Sequence, residues 1–387
     1  MKKTLIALAV LGATSSFAMA ASNITLYGKV SEGVIATKIK GEDATTQMKS
    51  GFDAGSRWGI KGVEDLGNGY KVGFVLEQGF NADDGTASST RQFHRESQLY
   101  VAGDFGKVGV GRFGSLSSGT GSYSILCGWA LGTSYTSGSF NNYDGTLRVD
   151  NGIVYVSPAM GGFTVHAMYS NGLAGDTAKW SENNHYYGLG VKYQEAAIKS
   201  SLILEANDGK GTGTDAVTAG SVITQNQFVA LGLGDKDAYK DWAKTEITAA
   251  TADKEAAYAV NFGFEYNLGE VTPMFAYRYQ TQDDVAESHT FGLSAKAAVA
   301  GGTAKVGVRY RIEKLDGTAK QKAVTDGKDD DGSVWAINAA YEYKLSKRTT
   351  LWSYGGYADG SDMLAKASKA DVNYNGWQLG VGLTHNF

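Results

Sequence analysis

The chain has one cysteine, Cys127, and two prolines in 387 residues. A single cysteine cannot form an internal disulfide, so stability has to come from elsewhere. Nothing surrounds Cys127 in sequence to suggest a metal ligand or a reactive thiol, and it is read as a small packing residue. Beyond the first dozen residues no apolar run reaches the eighteen or more that a membrane-spanning helix needs, which excludes a helical bundle in the bilayer. The five histidines, His94, His166, His185, His289 and His385, fall at no metal-ligand spacing. There is no nucleophile elbow and no metal-protease motif, so the sequence points away from an enzyme and implies no cofactor. The formal charge of −4 argues against nucleic acid as a partner.

What is present is glycine, 52 residues, and aromatic side chains, 44 in all, half of them tyrosine. Mean hydropathy is slightly negative at −0.24. That value fits a large soluble all-β protein, and equally a membrane barrel whose lipid face takes only every second residue. The N-terminus favours export. Met1-Lys2-Lys3 is a charged n-region, Thr4 to Gly12 is a short apolar segment, and Ala18-Met19-Ala20 is a cleavage site of the A-x-A type. Residues 1–20 are therefore expected to be a signal peptide and 21–387 the mature domain, whose charge is near −6 once Lys2 and Lys3 are gone.

The C-terminal stretch Tyr374 to Phe387 sets the pattern for the rest. Trp377, Leu379, Val381, Leu383, His385 and Phe387 alternate with Gln378, Gly380, Gly382, Thr384 and Asn386. This is a strand with one apolar and one polar face. Left as an open edge it would invite aggregation, whereas a barrel needs it to close on the first strand. Similar runs of about 9–14 residues recur from Ile24 onward, the length a tilted membrane strand requires. On the first, Ile24, Leu26, Gly28 and Val30 oppose Thr25, Tyr27, Lys29 and Ser31. On the second, Gly51 to Glu64, Trp58 and Ile60 oppose Arg57 and Lys61. On the third, Tyr70, Val72, Phe74 and Leu76 oppose Lys71, Gly73 and Glu77. Short turns such as Asp65 to Gly69 and Gly103 to Lys107 alternate with longer polar loops. The pattern predicts sixteen strands, seven short turns and eight longer loops, an even count with all short turns on one side. Sixteen strands leave an open lumen.

Two interruptions stand out. Gly114 to Leu147 is too long for an idle connection, is nearly uncharged before Arg148 apart from Asp144, and carries Tyr123, Trp129, Tyr135, Phe140 and Tyr143. So aromatic a segment should pack against something. Asp208 to Lys254 is longer still, and Ala238 to Ala252 within it has helical composition. The acids Asp326, Asp329, Asp330 and Asp331 form a loop cluster read as solvated rather than cation-binding. Tyr70, Tyr100, Tyr155, Tyr193, Tyr266 and Tyr343, near strand ends, are expected in interfacial girdles.

Several motifs resemble those of the Gram-negative trimeric general-diffusion porins, most closely the neisserial and betaproteobacterial branch. They are Leu26-Tyr-Gly-Lys29, Ser56-Arg-Trp-Gly-Ile-Lys-Gly-Val-Glu-Asp-Leu-Gly-Asn-Gly69, Gln98-Leu-Tyr-Val-Ala-Gly-Asp-Phe-Gly-Lys107, Gly109-Val-Gly-Arg-Phe113, Arg148 to Pro158 with Gly161-Gly-Phe163, and the terminal Phe387. No one of them decides; their order and spacing do. The resemblance implies an all-β, sixteen-stranded antiparallel transmembrane barrel in the outer membrane, with a third loop folded inward to narrow it. It implies a basic wall at Lys29, Arg57 and Arg148, with Arg112 at the base of loop three, although Arg112 alternates with Val108 and Val110. Parity alone already places Lys29, Arg57 and Lys61 toward the lumen. Arg95 lies in the same region, but the family's arginine falls nearer Ser97.

The resemblance further implies a homotrimer embedded in outer-membrane lipid and lipopolysaccharide, conducting small hydrophilic solutes and ions passively. Phe387 would be the signal read by the barrel-assembly machinery. Only Asp144 is available on loop three to oppose the basic wall, which favours weak anion selectivity. Two rivals share the barrel. One is a substrate-specific phosphate or sugar channel in which Tyr123, Trp129 and Tyr135 form a stacking track. The other is a non-conducting barrel acting through its loops as an adhesin or structural protein.

Overall fold

A computed structural model describes residues 23–133, 135, 148–172, 180, 183–208, 217–218, 237–238, 246–248, 255–325, 329–360 and 375–387. The signal segment, Asp144 and Asp326 lie outside the described residues. The strands are β1 (Asn23–Ile39), β2 (Thr45–Ser50), β3 (Arg57–Gly67), β4 (Tyr70–Gly79), β5 (Glu96–Gly103), β6 (Gly106–Gly114), β7 (Arg148–Val156), β8 (Phe163–Ser170), β9 (Tyr186–Glu195) and β10 (Ile198–Asn207). After the short pair β11 (Val217–Thr218) and β12 (Glu246–Thr248) come β13 (Ala257–Tyr266), β14 (Val271–Gln282), β15 (Ala286–Val299), β16 (Gly302–Leu315), β17 (Asp331–Lys344), β18 (Thr349–Gly360) and β19 (Gly376–Asn386). One helix, α1 (Gly317–Thr325), precedes β17.

Seventeen of these strands form one antiparallel sheet, and β11 with β12 forms a separate ribbon. β2 and β3 pair with successive halves of β1 and so share one barrel position, which leaves sixteen. The sheet closes through β1 and β19, in register from Lys29 opposite Asn386 to Ile39 opposite Gly376. Closure lets the backbone groups of the spanning strands pair without water, the condition for crossing a bilayer with strands. Among the described residues no helix is long and apolar enough to cross.

Alternation fixes the two faces. Leu26, Val34, Leu202, Leu204, Val306, Val308, Leu379, Val381 and Leu383 point outward and are exposed. Ser31, Gln98, Ser201, Asn338, Gln378 and Thr384 point inward and are buried. Of the tyrosines expected in girdles, Tyr70, Tyr155, Tyr266 and Tyr343 are exposed on the outer face. Tyr100 is not one of them. It faces inward, with the Lys107 ammonium 3.9 Å from its ring centre.

The connections differ from expectation in three places. The first long loop contains β2, because Thr45 to Ser50 continues the ladder on the upper half of β1. The link between β14 and β15 is only Asp283 to Val285, so one of the eight longer loops is a short turn. Within Ala238 to Ala252 the described residues are Ala238, which is helical, and Glu246–Thr248, a strand paired with Val217–Thr218 where cross-strand pairing overrides helical composition.

Candidate pore constriction

Loop three leaves β6 at Ser115, and its described part, to Tyr135, touches inward-facing residues of successive strands. Ser117 donates from its backbone N–H and its hydroxyl to Glu205 of β10. The Cys127 thiol lies 3.2 Å from the Ser201 hydroxyl, also on β10. Gly128 N donates to Glu265 of β13 and Ala130 N to the Ser294 hydroxyl of β15. The Tyr135 hydroxyl donates to Glu342 of β17 at 2.7 Å, while its backbone N–H donates to the carbonyl of Phe52. Two apolar clusters sit where these contacts fall. Leu116, Tyr123 and Ile125 pack with Phe113, Val154, Met168, Tyr186 and Ile203. Trp129, Leu131 and Tyr135 pack with Ile35, Phe52, Trp352 and Tyr354, and the Tyr135 and Tyr354 rings stack at 5.2 Å.

Glycines make this approach possible. At Gly128, φ is +92° and an added Cβ would stand 2.1 Å from the Phe275 carbonyl. At the facing Gly263 it would stand 2.2 Å from the Cys127 carbonyl. Backbone meets backbone here, so neither position has room for a side chain.

Around the first part of this segment, β1, β3 to β7 and the loop before β5 gather the charged groups. Lys29 and Arg57 stand in register on β1 and β3. Glu77 of β4 bridges two guanidiniums, Arg95 at 2.7 Å and Arg57 at 3.5 Å, and also accepts from the Tyr27 hydroxyl. Arg148 donates to the Arg95 carbonyl at 2.6 Å and to the Thr120 hydroxyl at 3.2 Å, both neutral acceptors. Arg112 pairs with Asp150, which Arg91 also reaches at 2.6 Å, and donates to the His94 carbonyl. Glu96 accepts from Ser122 N and its hydroxyl and from Gln98. Lys61 lies lower on the same face, its ammonium 5.1 Å from the Tyr27 ring centre.

Simple parity puts Arg112 on the face of Val108 and Val110. The register shifts between β6 and β7, from Gly111 opposite Gly152 to Phe113 opposite Val149, with Asn151 at φ +49°. A bulge of this kind re-aims side chains, and here Arg112 meets Asp150. Arg95 joins this cluster through Glu77, whereas Ser97 alternates with the exposed Leu99 on the outer face. Sequence reasoning also passed over the acids. It sought them on loop three, whereas Glu77, Glu96 and Asp150 are on the strands themselves. The alternation that set Glu77 beside Lys71 and Gly73 already held that signal.

The family follows from comparison over almost the whole chain. The model of the Gram-negative porin family matches residues 7–362. The chain belongs to this family. An outer membrane porin protein of Bordetella pertussis is 27% identical over 434 residues, covering 100% of both chains. Outer membrane porin protein 32 of Delftia acidovorans is 28% identical over 404 residues, again covering 100% of each. Major outer membrane protein P.IB of Neisseria lactamica is 30% identical over 309 residues, 74% of this chain and 85% of the relative. Among solved structures, an anion-selective porin from Comamonas acidovorans superposes with a TM-score of 0.61 at 24% identity, covering 95% of this chain and 100% of the other. This porin is thus a passive channel of the Gram-negative outer membrane. The exposed apolar rows are its lipid face, the short turns lie at the periplasmic end and the long loops outside.

Proposed function

We propose that this porin passes small hydrophilic solutes and ions through a constriction between loop three and the arginine-rich wall, with weak preference for anions. The observation that carries the proposal is the pairing at that wall. Arg57 and Arg95 share one carboxylate, Glu77, and the hydrogen-bond acceptors of Arg148 among the described residues are neutral. With Lys29, Arg91 and Arg112 the wall holds six cations; Glu77, Glu96, Asp150 and, near Lys29, Asp53 neutralise part of them, leaving a modest positive excess. In a narrow lumen that excess attracts anions and repels cations. Asp144, the one acid of loop three, lies outside the described residues and is proposed to oppose the wall as the weaker partner.

A stacking track for sugars is less well supported. Tyr123 is 2% exposed, Trp129 7% and Tyr135 0%, so these rings pack against the barrel rather than offer faces to a solute. The same burial supports a role in holding loop three in place. A homotrimer is part of the proposal. The motifs shared with the trimeric general-diffusion porins support it.

Planar-bilayer conductance of the mature protein, with the reversal potential measured in a salt gradient, tests the proposal. Openings in steps of three are expected, with an anion-favouring reversal potential. Arg148→Ala should move it toward zero more than Lys61→Ala does, because Lys61 lies below the cluster. A cation-favouring wild type would defeat the electrostatic part while leaving the channel intact.

A further inference from the structure

The part of the barrel wall on which loop three packs carries a second basic group. On β14, β15 and β16 the inward residues form rows. Arg278 stands in register with Thr290, and Thr290 with Arg311. One row toward loop three, Gly292 faces Arg309. Arg278 is 7% exposed and Arg309 3%, on the inner face where Met274 and Ala276 are also buried. Two strand spacings of about 4.8 Å separate the backbones of Arg278 and Arg311, so both guanidiniums can reach one small ion between them.

Cavities open beside both arginines. Arg278 and Gln280 border one of about 360 Å³ with Ser117 and Glu205. Arg311 borders one of about 230 Å³ with Gln280, Gln282 and Ser288. Gln280 lies on both. The donors are of the kinds that bind oxygen anions: guanidinium forks, side-chain amides and a hydroxyl.

Glu205 at the rim already accepts from Ser117 and from the Tyr186 hydroxyl; Glu313 pairs with Arg311 and offsets part of its charge, while the other N–H groups of that guanidinium remain as donors. Directly across from Arg278 on β13 is Asn261, fully buried, with neither side-chain polar atom hydrogen-bonded to a described residue. A buried amide without partners is costly and marks a place where polar groups are held ready.

We propose that Arg278 and Arg311, with Gln280 and Ser288, form a binding station for a small oxyanion of the phosphate or carboxylate type. It lies in the external half of the lumen, above the level at which Gly128 meets Gly263. An anion pauses there before it reaches the constriction. The station is separate from the Arg57–Arg148 wall, and each can fail without the other.

Inorganic phosphate is the probe. Added to the external side of single trimers in chloride, it should block the chloride current in a saturable, voltage-dependent way. Arg278→Gln and Arg311→Gln should each raise the half-blocking concentration about tenfold. Arg148→Ala should change the reversal potential and leave the block in place. Heat-modifiability on gels checks that each variant is folded. If Arg278→Gln does not fold, Gln280→Ala with Ser288→Ala tests the same cavities, with a several-fold weaker block expected. Absence of block in the wild type, or block unchanged in folded variants, overturns the station. Block abolished by Arg148→Ala alone would place the binding at the constriction and overturn it too.

Discussion

Glu77 is the residue on which the charge of the proposed constriction turns. Among the described residues it is the one carboxylate that Arg57 and Arg95 share, and it takes a third donor from Tyr27. Removing its charge leaves both guanidiniums in place, so the wall becomes more positive. Glu77→Gln should therefore strengthen anion preference, by about twofold in permeability ratio at 0.1 M salt and less at 1 M, where the screening length falls from ~10 Å to ~3 Å. Reversal potentials at the two salt concentrations check both the sign and the decline. An unchanged or cation-shifted potential would mean that permeating ions do not sense this cluster. At the same scale, Lys107 illustrates a cation that alternation alone cannot rank. Its ammonium is flanked by the rings of Tyr100 and Tyr123, at 3.9 and 4.7 Å. It helps to fix the start of loop three rather than standing free in the path.

At the scale of the element, loop three is held by hydrogen bonds spaced along the wall, and Tyr135 is the farthest described anchor. Burial first, then the nearby carboxylates Asp53 and Glu342, push its phenol far above the ordinary tyrosine range. A folded value raised above the unfolded one, about 10, means that this anchor contributes fully below pH 10. The contribution is lost as the pH rises beyond that point toward the folded value. Open-channel noise should therefore be flat to about pH 10 and increase above it. Tyr135→Phe, which keeps the ring stack on Tyr354 but loses the bond to Glu342, should be noisy already at neutral pH and show no further alkaline rise. An alkaline rise that persists in the phenylalanine variant would place the titrating group elsewhere. This element also marks where the sequence was legible. Its length, lack of charge and aromatic content announced a packed segment, and Tyr123, Trp129 and Tyr135 are indeed buried. What Trp129 and Tyr135 pack against was hidden, because Phe52 comes from the loop between β2 and β3 and Trp352 and Tyr354 from β18, far away in the chain. The strands were read well for the opposite reason: alternation is local. The bulge opposite Arg112 and the strand β2 were missed because both depend on the register of a partner strand.

For the whole molecule, closure is the central fact, and it depends on the chain's two ends meeting. Gly28 and Phe387 exchange backbone hydrogen bonds, each 3.1 Å long, as the last rung between β1 and β19. A Cβ on Gly28 would lie 2.3 Å from the Phe387 ring, so the glycine makes room for the terminal aromatic. Two hydrogen bonds of about 1 kcal/mol each are a small part of a ladder that runs around sixteen strands. Deleting Phe387 should therefore leave in vitro refolding, heat-modifiability and single-channel conductance nearly unchanged. Phe387 is 44% exposed at the barrel's outer edge. If Phe387 serves as the assembly signal, the same deletion should reduce the amount of barrel in the outer membrane several-fold, a loss far larger than the stability change explains. Comparing refolding yield in detergent with yield in cells separates the two roles. Equal losses in both would make Phe387 a structural rung, whereas loss in cells alone would make it a signal. Gly28→Val provides the reciprocal case, since it displaces the ring while retaining the residue. It should lower refolding and cellular yield together.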